Sequence, residues 1–207
     1  MDPLPLDSLS VPQNVYAPAE DSLLLVFAVR SLARGRVLDL GTGSGIIAIA
    51  AAQKPSVTAV VAADANPEAL EAAEANAKAA GVENKIAFAE SNLFSSLGDE
   101  KFDCICFNPP YLPTAEDEHV KGGLDSALDG GPDGRRVTDA FISQVKGYLN
   151  EGGIVLLVSS SLQDPQEEDR GNDVTLDKLR QEGFKAEVVI RQKFDFEELA
   201  VISAALQ

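Results

Sequence analysis

Short apolar runs alternate along the chain with segments in which apolar residues recur every three or four positions. The first pattern is typical of buried strands, and the second is typical of helices that pack on one face. Strands are predicted at residues 36–40, 57–63, 85–89, 102–107, 154–158, 185–191 and 199–205. Helices are predicted at residues 19–32, 45–53, 67–80, 135–149 and 174–182.

This alternation indicates the fold class. Strands that alternate with helices form parallel sheets with helices on both faces. The last two strands are joined by a short polar segment, residues 192–198, which predicts an antiparallel hairpin. We therefore predict an α/β protein with one doubly wound, seven-stranded and mainly parallel sheet. A chain of 207 residues fits a single domain, residues 1–207.

Two features of the composition bear on where the protein works. No apolar run approaches the roughly 18 residues that a membrane helix needs. Residues 1–16 contain neither a basic segment nor an apolar signal core, so we expect a cytoplasmic protein. Cys104 and Cys106 lie two positions apart on one predicted strand, where they would share a face. We expect both thiols to be reduced.

The charge of the chain argues against some partners. It has 17 basic and 33 acidic residues, and the net charge is -16. Nucleic-acid binding depends largely on Lys and Arg side chains that contact phosphates, so a nucleic-acid substrate is disfavoured. An acidic surface suits solubility or a basic protein partner. The single histidine, His119, lies in a polar loop, and we expect neither a catalytic role for it nor a metal site.

Three glycines mark the first candidate site. Gly41, Gly43 and Gly45 follow the first strand and open a helix, where glycine lets the backbone turn sharply and approach a ligand. Asp39 ends that strand, and Asp64 ends the second strand, where a carboxylate can accept hydrogen bonds from ribose hydroxyls. Many nucleotide-binding sheets share such a turn. On its own, the glycine turn therefore predicts a nucleotide-like ligand but does not identify it.

The second candidate site is Asn108-Pro109-Pro110-Tyr111, directly after the apolar run at residues 102–107. An asparagine amide and a backbone fixed by proline can grip an NH2 group, and a tyrosine ring can lie against the flat group that carries it. Together with the glycine turn, this order predicts methyl transfer to a planar nitrogen. Asn108, Pro109 and Tyr111 are the predicted catalytic residues.

These motifs resemble a known family. DLGTGSG at 39–45, DANPEA at 64–69 and NPPY at 108–111 are similar to class I S-adenosylmethionine-dependent methyltransferases, whose fold is Rossmann-like. The specific resemblance is to the HemK-like glutamine methyltransferases of release factors. NVYAPAEDSLLL at 14–25 and GGPDGRRV at 130–137 resemble the short eukaryotic and archaeal branch, which lacks the N-terminal helical domain of the bacterial enzymes.

The resemblance implies S-adenosyl-L-methionine as cofactor and a set of donor-binding positions. They are Tyr16, Pro18, Glu20, Asp21, Ser22, Asp39, Gly41, Thr42, Gly43, Asp64, Ala65, Asn92, Leu93 and Asn108. Asp39, Gly41 and Gly43 would hold the methionine end of the donor. Asp64 would hold its ribose. Asn92 would lie beside the adenine, where the family usually has Asp.

At the acceptor end, the resemblance implies that the side-chain oxygen of Asn108 orients the substrate amide. The carbonyl of Pro109 would be a second acceptor, and Tyr111 would pack on the amide. The expected substrate is the glutamine of a Gly-Gly-Gln segment in a class 1 translation release factor.

Other functions fit part of the pattern. N6-adenine methyltransferases of DNA or RNA share an Asn-Pro-Pro-aromatic motif, because adenine also presents a planar NH2 group. Protein lysine methylation also remains open for this branch. A nicotinamide-dependent oxidoreductase or a catalytically inactive scaffold would explain the glycine turn but not the residues from Asn108 to Tyr111.

Two further expectations concern partners. The resemblance implies a small zinc-binding activator subunit that adds a strand beside residues 85–89, which we expect at an edge of the sheet. The loop at residues 122–136 follows the candidate site and ends in Arg135-Arg136. We hypothesise that it clamps the protein substrate and that one of these arginines binds substrate carbonyl or carboxylate groups.

Overall fold

The computed structural model describes residues 9–114, 128–164 and 170–206, and it confirms the predicted α/β class. The strands are β1 Gly35–Leu40, β2 Val57–Asp64, β3 Ile86–Glu90, β4 Phe102–Phe107, β5 Leu149–Ser160, β6 Phe184–Lys193 and β7 Glu198–Leu206. The helices are α1 Glu20–Leu32, α2 Ile46–Ala52, α3 Pro67–Ala79, α4 Arg136–Val145 and α5 Gly171–Gln181.

The strands form one seven-stranded sheet in the order β3-β2-β1-β4-β5-β7-β6. The first five strands pair in parallel, and β7 runs antiparallel to both β5 and β6. The predicted antiparallel hairpin is therefore confirmed. The strand order reverses between β1 and β4, which is where open α/β sheets bind ligands, at the carboxyl ends of the strands.

Side chains on both faces of the central strands are buried. Val37 and Cys104 pack with α1 and α2 on one face, whereas Leu38 and Ile105 pack with α4 on the other. Burial on both faces explains why these strands are continuously apolar rather than alternating. The sheet is thereby a rigid support for the loops at its carboxyl edge.

The largest error in the predicted boundaries lies between α4 and β5. The helix expected at residues 135–149 ends at Val145, a 3₁₀ turn follows at Lys146–Tyr148, and Leu149 already belongs to β5. Leu149 pairs with Phe102, whereas Ile154 pairs with Cys104, so the strand contains a bulge. Helical spacing is local, but this pairing depends on a strand distant in sequence.

The two cysteines have the state that the sequence predicted. Cys104 and Cys106 are free and buried, with their sulfur atoms 3.7 Å apart, which confirms unbridged thiols. The hydrogen bond to Cys104 and burial raise the pKa of Cys106.

Within the described residues, no helix is long and apolar enough to cross a membrane, and no group of His, Cys, Asp or Glu side chains could hold a metal ion. His119 lies outside the described residues.

Candidate active site

A cavity of about 410 Å³ opens at the carboxyl ends of β1, β2 and β4. The predicted residues that line it are Tyr16, Pro18, Ser22, Asp39, Gly41, Thr42, Gly43, Asp64, Ala65, Asn92, Leu93 and Asn108. The lining residues that are not among the predicted catalytic or donor-binding positions are Asn14, Val15, Leu40, Ser44, Ile46, Ile47, Asn66, Ala69, Ser91, Phe107, Pro110 and Val137. The structure therefore brings together the glycine turn, the N-terminal segment and Asn108 around one space.

The glycine turn is shaped by two requirements. Gly43 has φ +52°, its N–H donates to the Asp64 carboxylate over 2.9 Å, and an added Cβ would meet no atom within 4 Å. It therefore leaves room for a ligand beside the backbone. Gly45 has φ +83°, and an added Cβ would lie 2.9 Å from the Cβ of Ala73. Gly45 is thus needed for the close approach of α3, not for the ligand.

Asp39 is almost fully buried beneath the turn. Its Oδ2 atom accepts hydrogen bonds from the Thr42 hydroxyl at 2.6 Å and from the N–H of Ala48 at 3.0 Å. Gly45 precedes α2 and has no side chain with which to cap it, so Asp39 caps this helix from the neighbouring strand. Burial raises the pKa of Asp39 to about 7. The carboxylate both organises the turn and presents a titratable group to the cavity.

Asp64 connects β2 with the glycine turn. Besides Gly43, its carboxylate accepts the N–H of Asn66 at 2.9 Å, and burial raises its pKa. The cap of α3 is Asn66, whose Oδ1 atom accepts the N–H of Glu68. Because Asn66 fills the capping role, Asp64 is not needed as a helix cap and stays at the cavity wall.

The N-terminal segment crosses one side of the cavity and is held by α3. Asn76 accepts the N–H of Ser10 at 2.9 Å and donates to the carbonyls of Ser10 and Ser44 at 3.0 and 2.9 Å. Asn66 donates to the carbonyl of Asn14 at 3.2 Å. Asn76 lies in the middle of a helical pattern, and nothing in the sequence distinguishes it from a surface residue.

Asn92 and Leu93 close the cavity beyond β3. Asn92 is exposed, and Leu93 adopts φ +49°, a left-handed conformation that costs energy for a branched side chain. The Ser91 hydroxyl donates to the Leu93 carbonyl over 2.7 Å and helps to hold it. Both residues thus line the cavity directly after β3.

Asn108 lines the cavity at the end of β4. Its Nδ2 atom donates to Asp21 over 2.9 Å, while its Oδ1 atom is buried and has no hydrogen-bond partner. Pro109 is buried and Tyr111 is half-buried. Glu20 is exposed at the start of α1. Four of the predicted residues, Glu20, Asp21, Pro109 and Tyr111, lie outside the cavity lining.

Residues 128–134 pack directly against the segment after Asn108. The N–H of Leu112 donates to the carbonyl of Leu128, and the carbonyl of Leu112 accepts from Gly130. An added Cβ on Gly134 would lie 2.3 Å from the carbonyl oxygen of Tyr111. The glycines of this segment therefore allow close packing that fixes the position of Tyr111.

Of the two arginines hypothesised to bind substrate, Arg135 is enclosed by the protein. Arg135 is 1% exposed, and its guanidinium donates to the hydroxyl of Thr175 at 3.2 Å and to Asp139 at 3.0 Å. Arg136 is exposed and pairs with Asp129 at 2.9 Å. The adjacent basic pair therefore has two unrelated roles, which a linear sequence does not distinguish. Residues 122–127 of the hypothesised clamp lie outside the described residues.

Comparisons with known proteins agree with this geometry. Residues 16–122 match the family model "Methyltransferase small domain". A putative protein N5-glutamine methyltransferase of Methanocaldococcus jannaschii is 44% identical over 196 residues, which cover 95% of this chain and 94% of that protein. The release factor glutamine methyltransferase of Geobacter sulfurreducens is 35% identical over 73% of this chain. The match spans only 55% of that bacterial protein.

A solved structure is also similar over almost its whole length. It is the E. cuniculi Mtq2–Trm112 complex, responsible for the methylation of the eRF1 translation termination factor. The TM-score is 0.70 at 26% identity, and the match covers 94% of this chain and 99% of the solved one. The chain thus belongs to the methyltransferase small domain family, as the sequence motifs predicted.

Proposed function

We propose that this protein transfers a methyl group from S-adenosyl-L-methionine to the side-chain amide nitrogen of a glutamine, within a Gly-Gly-Gln segment of a class 1 translation release factor. The observation that carries this proposal is the unpaired Oδ1 atom of Asn108, which is buried beside the cavity. Buried polar atoms in proteins normally have partners. A substrate N–H group would supply the missing donor.

The residues around the cavity fit the proposed donor. A volume of about 410 Å³ lies in the range of small-molecule sites. Gly43 leaves its backbone accessible, and Asp64 offers carboxylate oxygens to ribose hydroxyls. When ionised, the Asp39 carboxylate would attract the positively charged sulfur of the donor. Asn92 and Leu93 would contact the adenine, and Asn92 can both donate and accept hydrogen bonds there.

The acceptor residues suit a weakly nucleophilic nitrogen. In a glutamine amide the nitrogen lone pair is delocalised into the carbonyl. Hydrogen bonds from its two N–H groups to Asn108 Oδ1 and to the Pro109 carbonyl favour the pyramidal geometry and growing positive charge of the reacting nitrogen. Tyr111 would pack against the flat amide. The rest of the rate enhancement comes from alignment, because the reaction is an in-line displacement.

When bound, the donor would supply a methyl group on a positively charged sulfur. The carbon–nitrogen bond would form as the carbon–sulfur bond breaks with its electrons on sulfur, and one amide proton would pass to water. No side chain has to act as a nucleophile. Tyr16 and Tyr111 both have a pKa raised above its usual value by burial. They therefore stay protonated and act as hydrogen-bond donors throughout the physiological pH range.

The relatives support the choice of glutamine. The archaeal relative is named a protein N5-glutamine methyltransferase and matches this chain over nearly its full length. The bacterial relatives are named release factor glutamine methyltransferases. The net charge of -16 also suits a protein substrate better than a nucleic acid.

We also propose a small zinc-binding partner subunit that pairs with β3. Among the described strands, β3 contacts only β2 and leaves its outer edge open, as the sequence predicted. Ala87 and Glu90 are exposed on this strand, and Phe88 is half-buried. The similar Mtq2 chain was solved as a complex with Trm112. Co-expression with a Trm112-type subunit should yield a complex that an Ala87→Pro substitution weakens.

The substrate is tested by offering one donor and competing acceptors. The protein, with its partner subunit where one is needed, is incubated with methyl-labelled donor and a class 1 release factor, the same factor with its Gly-Gly-Gln glutamine changed to alanine, or an adenine-containing oligonucleotide. We expect label only in the unaltered factor. Label in the oligonucleotide or equal label in both factors would contradict the proposal.

A further inference from the structure

The carboxylate of Asp21 accepts hydrogen bonds from several donors next to the cavity. Asp21 is the second residue of α1 and is 3% exposed. Its Oδ2 atom accepts from the Tyr16 hydroxyl at 3.0 Å, from Asn108 Nδ2 at 2.9 Å and, over a longer 3.4 Å, from the Tyr111 hydroxyl. Its Oδ1 atom accepts from the backbone and hydroxyl of Ser22. The carboxylate therefore has partners on both oxygens.

This contact determines which end of the Asn108 amide faces the cavity. The nitrogen and oxygen ends of an asparagine amide have nearly the same shape, so packing alone barely distinguishes them. An ionised carboxylate only accepts hydrogen bonds, so Nδ2 must face Asp21. The Oδ1 atom is consequently directed away from Asp21 and is the atom left without a partner.

The opposite orientation would block the reaction. It would direct an NH2 group at the substrate N–H, so that two donors faced each other. It would also place Oδ1 against the Asp21 carboxylate, an unfavourable contact between two acceptors. Asp21 itself does not line the cavity, so its influence on the reaction passes through the lining residues that it contacts, Asn108, Tyr16 and Ser22.

We propose that Asp21 is a positioning residue: it holds the Asn108 amide with its oxygen toward the substrate nitrogen and thereby sets the acceptor geometry for methyl transfer. This inference rests on the proposed function of Asn108. It assigns to Asp21 a role different from the donor contact that the sequence resemblance implied. The hydroxyls of Tyr16 and Tyr111 complete the set of donors around the same carboxylate.

Exchanging the two side chains tests this proposal. Asp21→Asn places an NH2 group next to Asn108 and favours the flipped amide, so kcat should fall at least tenfold while donor affinity stays within about threefold. Asn108→Asp alone brings two carboxylates to hydrogen-bond distance. These must share a proton, so activity should acquire a pH dependence in addition to that of the wild type.

The double variant, Asp21→Asn with Asn108→Asp, restores the pairing in reverse. The amide introduced at position 21 can donate to one oxygen of the carboxylate introduced at position 108, whose other oxygen again faces the substrate as an acceptor. The hydroxyls of Tyr16 and Tyr111 can accept as well as donate. We expect kcat to recover at least fivefold relative to Asp21→Asn, without the added pH dependence.

Donor titration establishes that each variant is folded. If Asp21→Asn alone fails to bind donor, the double variant tests the proposal instead, because it keeps one carboxylate and one amide. Turnover of the double variant within tenfold of wild type then supports the proposal. Wild-type kcat in Asp21→Asn, or a donor-binding double variant without turnover, would overturn it. Asn108→Ala distinguishes a failure of the proposed function from a failure of the proposal for Asp21. Unchanged turnover in that variant would refute the proposed function itself, whereas its inactivity beside a fully active Asp21→Asn would refute only the role of Asp21.

Discussion

The side-chain nitrogen of Asn108 donates to the carboxylate of Asp21 over 2.9 Å, although 87 positions separate the two residues. Asn108 follows β4 and Asp21 opens α1, so the contact exists only once the helix has packed beside the sheet. It leaves the oxygen of the Asn108 amide as the unpaired acceptor. The chemistry that we propose depends on this orientation.

Asn108→Ala should reduce kcat by a factor on the order of 100 to 1,000, the typical loss when one hydrogen bond to a developing charge is removed. Donor affinity should change little, because the proposed role of the Asn108 oxygen is to hold the substrate amide, and the other donor contacts stay in place. Steady-state kinetics and titration calorimetry measure the two quantities separately. Asn84→Ala, at an exposed position before β3, is the matched control and should leave both unchanged.

Asp64→Ala should affect donor binding first. It removes the proposed ribose acceptor and the bonds to the N–H groups of Gly43 and Asn66. Hydrogen bonds to charged groups contribute about 1.5–3 kcal/mol each, so we expect a Kd for donor at least tenfold higher. Asp99→Ala, at an exposed site, controls for the loss of one negative charge. An unchanged Kd in Asp64→Ala would exclude this residue from the donor site.

Asp39 should make stability depend on pH. Burial raises its pKa to about 7 in the folded protein, whereas an unfolded Asp titrates near 4. The unfolded chain therefore loses this proton first, and the contribution of Asp39 to stability decreases as pH rises through about 7. Asp39→Asn should lose less unfolding free energy than wild type between pH 5.5 and pH 8 in urea titrations. Parallel pH profiles for the two proteins would show that Asp39 titrates normally.

Arg135 and Arg136 should differ in stability rather than in substrate binding. Arg135→Met removes a buried guanidinium and leaves Thr175 without that donor, so the unfolding free energy should fall by about 1–3 kcal/mol. Arg136→Met removes an exposed ion pair and should cost no more than about 1 kcal/mol. Urea unfolding of both variants measures the difference. Equal losses would contradict the burial-based distinction.

The sequence predicted the fold well because its signals are local. Apolar runs identified all seven strands, and the short polar link before Leu199 indicated the hairpin. The boundary error at Leu149 arose where pairing with Phe102, not helical spacing, decides the structure. Motif positions likewise identified much of the cavity lining, because glycine turns and strand ends have fixed places in this kind of sheet.

The parts that the sequence did not predict depend on contacts between distant residues. The hydrogen bonds of Asn76 join α3 to Ser10 and Ser44, and no local sequence pattern indicates them. Arg135 resembled a free basic residue until its buried partners were known. Asp21 belongs to a recognisable motif, but only its position beside Asn108 indicates what its carboxylate does.

Locating the transferred methyl group decides whether the protein methylates the glutamine side chain. A class 1 release factor is methylated with isotopically labelled donor and digested, and tandem mass spectrometry assigns the label to an atom. We expect label on the side-chain nitrogen of the Gly-Gly-Gln glutamine, and we expect the Asn108→Ala variant to lose it. Label on a lysine or on another residue of the factor, with none on this glutamine, would contradict the proposal.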